Sequence, residues 1–207
     1  MDQRRMRGQR NREALIAAAV ELFETRGYDA TTVDQIAAVA GVAPRTYFHH
    51  FATKDDILFD GYAERLNEAA RRFRNSRSTT LWGALAEASA AVAEAITTQP
   101  EIFVVRARLY ASHPALRATR LRINDDWIDQ MTLEVGRWLD TDADSDLRPR
   151  LAATVVNGAN RAAIDTWVAG DGRGDLVATM SQAVVLLQPS IDRIERLVKE
   201  DRRSRVG

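Results

Sequence analysis

The sequence predicts an all-α protein of two parts, because apolar residues recur at helical spacing along nearly the whole chain. No segment shows the alternation of a half-buried strand, and no hairpin dipeptide joins two apolar segments. A length of 207 residues suits one or two small domains, and 45% apolar with 28% charged residues is typical of a globular chain. We therefore expect an N-terminal three-helix module and a larger C-terminal helical domain.

The N-terminal module is predicted from three helices with clear ends. The first helix carries an apolar stripe of Leu15, Ala18, Ala19, Leu22 and Phe23. Gly27 follows it where a helix-ending glycine belongs, and Thr32 opens the second helix as the first residue of a capping box. Gly41 ends the second helix, and Pro44 suits the first turn of a third helix that runs to about His50.

The rest of the chain is predicted to be helical as well. A long fourth helix is expected from near Lys54, with an apolar face of Leu58, Tyr62, Leu66, Ala69 and Phe73. Further helices are expected over residues 79–97, 100–112, 115–139, 145–169 and 175–200, and Pro189 is expected to kink or split the last. Residues 1–53 would then form the N-terminal module and residues 54–207 the C-terminal domain, with the fourth helix packed on both.

Charge is distributed unevenly although 29 positive and 29 negative residues balance to zero. The start of the chain carries Arg4, Arg5, Arg7, Arg10 and Arg12 against Asp2 alone. A short basic arm, residues 1–9, ahead of a near-neutral body is typical of a protein that contacts phosphate with one end. A solvated tail is the other interpretation that this pattern allows.

Several function classes are excluded or disfavoured. The absence of cysteine excludes disulfides, thiolate metal sites and a cysteine nucleophile. No apolar run approaches the roughly 20 residues of a membrane helix, and no signal segment is present, so we expect a cytoplasmic protein with no membrane partner. Asp140, Asp142 and Asp144 imitate a calcium loop, but Ser145 stands where that loop needs glycine. Since no catalytic motif occurs either, we expect no enzyme, no metal and no cofactor.

The segment 32–51 has the residue spacing of a helix-turn-helix. Ala37 is small where two helices must cross, Gly41 can take the positive φ of a tight turn, and Val42 fills the angle between the helices. An ordinary helical hairpin that binds nothing is the alternative.

The third helix is predicted to have an inner and an outer face. Tyr47, Phe48 and Phe51 are expected to point into the core. The outer face would then present Pro44, Arg45, Thr46 and His49. Such a compact polar surface has the size that a DNA major groove admits.

Residues 10–59 resemble the TetR family of bacterial transcriptional regulators. The matching residues are Leu22-Phe23, Gly27-Tyr28, Thr31-Thr32-Val33, Ile36-Ala37, Ala40-Gly41-Val42, Thr46, His50-Phe51, Lys54 and Leu58. The resemblance implies a homodimer that binds a palindromic double-stranded DNA operator through the helix-turn-helix. It also implies a C-terminal domain that dimerises and binds a small-molecule effector.

Carried over to this sequence, the resemblance implies DNA contacts from Thr32, Pro44, Arg45, Thr46, Tyr47, His49, His50 and Lys54. Arg45 could donate two hydrogen bonds to one guanine, and Lys54 would contact phosphate. Two positions depart from the family pattern. Ala43 replaces a capping serine, and Phe48 stands where a phosphate-binding tyrosine is common. Whether Tyr47 replaces that tyrosine is open, and so is whether the two histidines are only surface and core-edge residues. Arginines 4, 5 and 7 are expected to reach an adjacent minor groove.

Polar and aromatic residues within the apolar stripes of the C-terminal domain are candidate effector contacts. They are Phe103, Arg106, Tyr110, Trp127, Met131, Asn157, Asn160 and Ile164. A buried polar group needs a partner, which is either a ligand or another helix, and aromatic stripes are often only core. This part also resembles the C-terminal domain of regulators associated with mycofactocin gene clusters. That resemblance implies a lipophilic or acyl-thioester effector.

The resemblance further implies that the helices over 147–169 and 175–188 pair with their twofold copies. The second carries an apolar stripe of Leu176, Val177, Met180, Ala183, Val184 and Leu187, which favours burial by a partner. The sequence thus predicts a homodimeric repressor that a ligand releases from DNA. The alternatives are a regulator without a small-molecule inducer, and a small helical enzyme or carrier that uses a C-terminal cavity.

Overall fold

The computed structural model describes residues 3–206, and these residues form ten helices joined by turns. The helices are α1 (Gln3–Arg26), α2 (Val33–Val39), α3 (Pro44–His50), α4 (Tyr62–Arg74), α5 (Leu81–Ile96), α6 (Pro100–Ser112), α7 (Pro114–Leu139), α8 (Leu147–Ala169), α9 (Leu176–Val185) and α10 (Gln188–Val206). No strand occurs among the described residues, which confirms the predicted fold class. Within the same range, no helix has both the length and the apolar character needed to cross a membrane.

The helix boundaries follow local signals in most places. The predicted split at Pro189 is confirmed, because α9 ends at Val185 and α10 begins at Gln188. The predicted start of the fourth helix near Lys54 is wrong, because α4 begins at Tyr62. The residues between form turns, and Gly61 ends them with a φ of 72°.

The described chain divides into two compact units. Unit 1 contains the residues up to Gly61 together with Glu101–Ala118. Unit 2 contains Tyr62–Pro100 together with the chain from Thr119 onward.

Unit 1 has a core to which all three N-terminal helices contribute. It is formed by buried residues of α1 (Leu15, Ile16, Ala18, Ala19, Leu22 and Phe23), of the segment that carries α2 and α3 (Tyr28, Ile36, Ala37, Tyr47 and Phe51), of the turns before α4 (Ile57 and Leu58), and by Tyr110 and Leu116. Because α1 packs against both α2 and α3, the short α3 is held in place by tertiary contacts more than by its own length.

Unit 2 is built around α5, which packs against α4, α8, α9 and α10. Its fully buried side chains include Phe73, Leu81, Met131, Leu176, Met180 and Ile191. Two members of the α9 stripe, Leu176 and Met180, are therefore core residues of the subunit.

Candidate nucleic-acid interface

Local hydrogen bonds fix the start of α2 and the turn that follows it. The amide of Gln35 donates to the Thr32 hydroxyl at 3.3 Å, and the Thr32 amide donates to the Gln35 side chain at 3.0 Å. This is the predicted capping box. Gly41 takes a φ of 68°, and the Val42 amide donates to the carbonyl of Ala37 at 3.0 Å. The predicted turn between the two helices is thereby confirmed.

Helix α3 is anchored from behind by Tyr47. Its side chain is completely buried, and its hydroxyl donates to the carbonyl of Thr53 at 3.0 Å. Burial raises the pKa of Tyr47 above its usual value, and the carboxylates of Asp56 and Asp55 add to that rise. The structure therefore places Tyr47 in the core of unit 1, where its hydroxyl does not replace a surface tyrosine at position 48.

The outer face of α3 carries a large aromatic side chain. Phe48 is 57% exposed, so the prediction that it points into the core is wrong. Successive helical residues are rotated by about 100°, so the inward direction of Tyr47 turns the Phe48 side chain away from the core. Together with Ala43, Arg45, Thr46 and His49 it lines one open depression.

The first turn of α3 matches its sequence prediction. Pro44 occupies the start of the helix, and Ala43 provides no side-chain cap. Pro44 and Arg45 are exposed, and so is Thr32 at the start of α2. With His49, which is also exposed, the structure thus brings four of the eight predicted DNA-contacting residues to the surface of unit 1, and Thr46 is half-buried.

Lys54 has close intramolecular partners. Its ammonium donates to the carbonyls of Tyr28 at 2.8 Å and Thr31 at 3.1 Å, and it lies 4.0 Å from the centre of the Tyr28 ring. These contacts hold the end of the α1–α2 loop against the segment after α3. The Lys54 ammonium is thus engaged within unit 1, and its contact with a phosphate stays a prediction.

His50 is half-buried at the end of α3, and its ring centre lies 5.3 Å from that of His49. Burial lowers the pKa of His50, the neighbouring His49 and Arg12 side chains lower it further, and Asp60 acts in the opposite direction. His50 is therefore mainly neutral at pH 7 in the free protein.

The basic arm is helical where the structure describes it. Helix α1 begins at Gln3, so from that residue onward the arm is not an extended tail. Residues 1 and 2 lie outside the described range. The expectation of an arm that trails from the body is therefore wrong for the described part, whereas the contact of these arginines with a minor groove stays a prediction.

The predicted effector contacts fall in both units. Phe103, Arg106 and Tyr110 lie on α6 in unit 1, whereas the other five lie on α7 and α8 in unit 2. The Tyr110 hydroxyl donates to the carbonyl of Leu58, and its ring stacks on Phe59 at 4.9 Å between centres. In unit 1, α6 therefore supports the turns that precede α4.

Unit 2 buries a polar pair between α5 and α8. The Asn160 side-chain amide donates to the Ser89 hydroxyl at 3.0 Å, and both residues are buried. The carbonyl oxygen of the Asn160 side chain has no hydrogen-bond partner among the described residues. On α7, Trp127 donates to the carbonyl of Leu66 at 3.3 Å, and Met131 is completely buried. Asn157 and Ile164 are half-buried on α8.

Two known families match most of the chain. Residues 15–60 match the family described as bacterial regulatory proteins, tetR family. Residues 79–192 match the MftR C-terminal domain. The chain belongs to the TetR family. The family predicted from residues 10–59 is therefore confirmed, and so is the resemblance of the C-terminal domain to mycofactocin-associated regulators.

Individual relatives of this TetR-family chain agree with that assignment. It is 31% identical over 173 residues to the HTH-type transcriptional regulator TcmR of Streptomyces glaucescens, covering 80% of this chain and 75% of TcmR. It is 27% identical over 189 residues to the fatty acid metabolism regulator protein of Bacillus subtilis (strain 168), and the match covers 86% of this chain and 93% of that protein. The crystal structure of FadR from Bacillus subtilis in complex with stearoyl-CoA superposes with a TM-score of 0.62 at 25% identity, and the match covers 84% of this chain and 96% of the FadR chain. This TetR-family protein is a DNA-binding transcriptional regulator.

Proposed function

We propose that this TetR-family regulator is a homodimeric repressor of a palindromic operator, released by a lipophilic acyl-type ligand. Residues 1–53 would bind DNA, and residues 54–207 would dimerise and bind the effector. The observation that carries the proposal is the outer face of α3, where Arg45 and His49 are exposed on a helix anchored by the buried Tyr47.

Each side chain of this face has a role that its chemistry suits. Arg45 presents a forked guanidinium that can donate twice to one guanine, while Thr46 and His49 reach phosphates or a thymine methyl group. Thr32, His50 and Lys54 contact backbone phosphates beside the groove, and Pro44 packs against the DNA at the start of α3. Tyr47 acts indirectly by holding the helix in place.

The proposed dimer uses α8 and α9. The apolar stripe of α9 is not evidence for it, because Leu176, Met180 and Val184 are buried within the subunit. The support comes from large apolar residues that the single chain leaves exposed on or beside these helices, namely Leu147, Leu151, Val185 and Leu186. Leu186 is 82% exposed, which is unfavourable in water and is relieved when a second copy covers it.

The proposed effector is an acyl thioester. Its support is the matched MftR C-terminal domain and the likeness to FadR, whose crystal structure contains stearoyl-CoA. In this chain the buried Asn160 oxygen lacks a donor among the described residues, and an unpaired buried acceptor costs about 1–3 kcal/mol. A ligand donor that reached this oxygen would recover that free energy.

The test begins with selection of a duplex from a random DNA library by the purified protein, followed by fluorescence anisotropy on the selected duplex. Acyl-coenzyme A thioesters of increasing chain length are then added, with free coenzyme A and free fatty acids as controls. Release by long-chain thioesters alone supports the proposal, because a ligand shifts the equilibrium only if it binds the DNA-free conformer more tightly. Selective DNA binding that no thioester weakens would favour a regulator without a small-molecule inducer.

A matched variant tests the role of Asn160. Asn160→Leu removes both polar atoms at nearly constant volume, and binding of the duplex without ligand reports whether the protein is folded. We expect normal DNA binding and a higher thioester concentration for release. Unchanged release by the thioester would remove Asn160 from the proposed effector site.

A further inference from the structure

A basic concave surface lies in unit 1 between the first turns of α1 and the end of α3. Its lining residues are Arg4, Arg5, Gly8, Gln9, Arg12, His49 and His50. We call this surface the basic cleft. In the described part of the chain, no acidic side chain lines it.

The helical register explains why only some arginines of α1 reach the cleft. Positions 4, 5, 8, 9 and 12 lie within one stripe of about 140° on a helix that turns by about 100° per residue. Arg7 and Arg10 fall on the other side of the helix and do not line the cleft. The chain therefore provides two arginine pairs of equal charge, only one of which faces the end of α3.

The basic cleft is a shallow, open depression with cationic side chains around it. Arg4 and Arg5 are exposed, and Arg12 is held in position by an ion pair with Asp60. At Gly8 a side chain would meet no atom within 4 Å, so nothing fills the space beside the backbone there. Exposed guanidinium groups around an open depression suit a phosphodiester, which arginine binds with two parallel hydrogen bonds.

His49 connects the cleft to the outer face of α3. It lines both the basic cleft and the depression that contains Arg45 and Phe48. A major groove about 12 Å wide is bordered on each side by a sugar–phosphate strand. DNA seated on the outer face of α3 would thus place one of its strands next to the cleft.

We propose that the basic cleft binds phosphates of the operator strand that borders the major groove occupied by α3. The inference rests on the proposed DNA-binding function and adds a second contact to it. The helical arm works as a backbone clamp that fixes the register of α3 and reads no sequence. Arg4 and Arg5 supply the main charge, and Arg12 and the two histidines complete the lining.

The test compares two double variants with the wild-type protein on the duplex selected above. Arg4→Ala with Arg5→Ala removes two cleft charges, and Arg7→Ala with Arg10→Ala removes two charges from the other side of the same helix. We expect the first pair to lower the slope of log affinity against log salt by roughly 1 to 2. This decrease should be similar for every DNA sequence, because the lost contacts are to phosphates. The second pair should change the slope by less than half as much. Circular dichroism checks that both variants keep their helix content.

Single methylphosphonate substitutions then locate the contact. In wild-type protein, neutralising the phosphate at the cleft should weaken binding several-fold, and this loss should disappear in the Arg4/Arg5 variant but persist in the Arg7/Arg10 variant. Equal losses for the two variants at every phosphate would overturn the cleft in favour of diffuse attraction. Failure of the wild-type protein to select any duplex would instead reject the proposed function itself.

Discussion

The guanidinium of Arg106 donates a hydrogen bond to the main-chain carbonyl of Ile57 at 2.8 Å, in a buried setting. A second bond runs from Arg106 to the carbonyl of Asp60 at 3.0 Å. Both carbonyls belong to the turns before α4. A side chain expected to contact an effector thus stabilises backbone of unit 1.

Arg106→Met should therefore lower stability strongly. The substitution keeps most of the apolar stem but leaves two carbonyls without their charged donor, and hydrogen bonds to charged groups contribute about 1.5–3 kcal/mol each. We expect the free energy of unfolding in urea to fall by about 3 kcal/mol. Arg117→Met, at an exposed position of α7, serves as the control and should change stability by less than about 0.5 kcal/mol. Equal stability of the two variants would contradict the supporting role.

Adjacent residues of α3 should separate stability from DNA binding. Tyr47→Phe removes a buried hydroxyl bonded to Thr53 and should cost about 1 kcal/mol of stability. Phe48→Ala removes an exposed ring and should leave stability within about 0.5 kcal/mol while weakening operator binding. Thermal unfolding and anisotropy on the selected duplex measure the two effects. The assignment of faces fails if Phe48→Ala is the less stable of the two and binds DNA normally.

Arg45 should govern sequence preference. Arg45→Lys keeps the positive charge but loses the planar fork, so it should cost about 1–3 kcal/mol on the preferred duplex and broaden one base position in each half-site. The salt dependence should stay nearly unchanged, since the net charge is the same. A repeated selection experiment with the variant measures the base preferences. An unaltered preference would show that Arg45 contacts only phosphate.

DNA binding should strengthen as the pH falls. Burial and the neighbouring His49 and Arg12 side chains lower the pKa of His50 in the free protein, whereas a nearby phosphate would raise it. The complex then holds more protons than the free protein, and affinity rises as the pH falls below about 6.5, the ordinary pKa of histidine. Anisotropy between pH 8 and 5.5 at constant salt measures this trend, and His50→Gln should flatten it. A wild-type affinity independent of pH would refute the coupling.

The exposed leucine at the end of α9 should control assembly. Leu186→Asp places a charge at the most exposed apolar position of the proposed interface and should convert a dimer into a monomer of 23.1 kDa. Leu121→Asp, at an exposed leucine of α7 outside that interface, is the control and should remain dimeric. Light scattering reads the mass directly. If both variants remain dimeric, the dimer interface does not include Leu186.

The features that the sequence predicted correctly depend on neighbouring residues. The capping box of Thr32, the left-handed Gly41 and the proline at the start of α3 each act within a few residues of their own position. The family assignment rests on the same short-range pattern. The helical spacing of apolar residues likewise predicted the long helices of the C-terminal part. This spacing shows which face of a helix is buried, whatever surface that face packs against.

The sequence by itself determined an all-α chain with a helix-turn-helix, because helix caps, turns and the spacing of apolar residues depend on residues that are close together in the sequence. Only the tertiary structure decided that Phe48 faces outward, that half of the α9 stripe (Leu176, Met180 and Val184) is buried within the subunit, and that Arg106 holds a turn. Arg106 and Ile57 are 49 positions apart, so no local pattern pairs them. Which of two adjacent aromatic side chains is buried, and which carbonyl an arginine reaches, depends on how distant helices pack together.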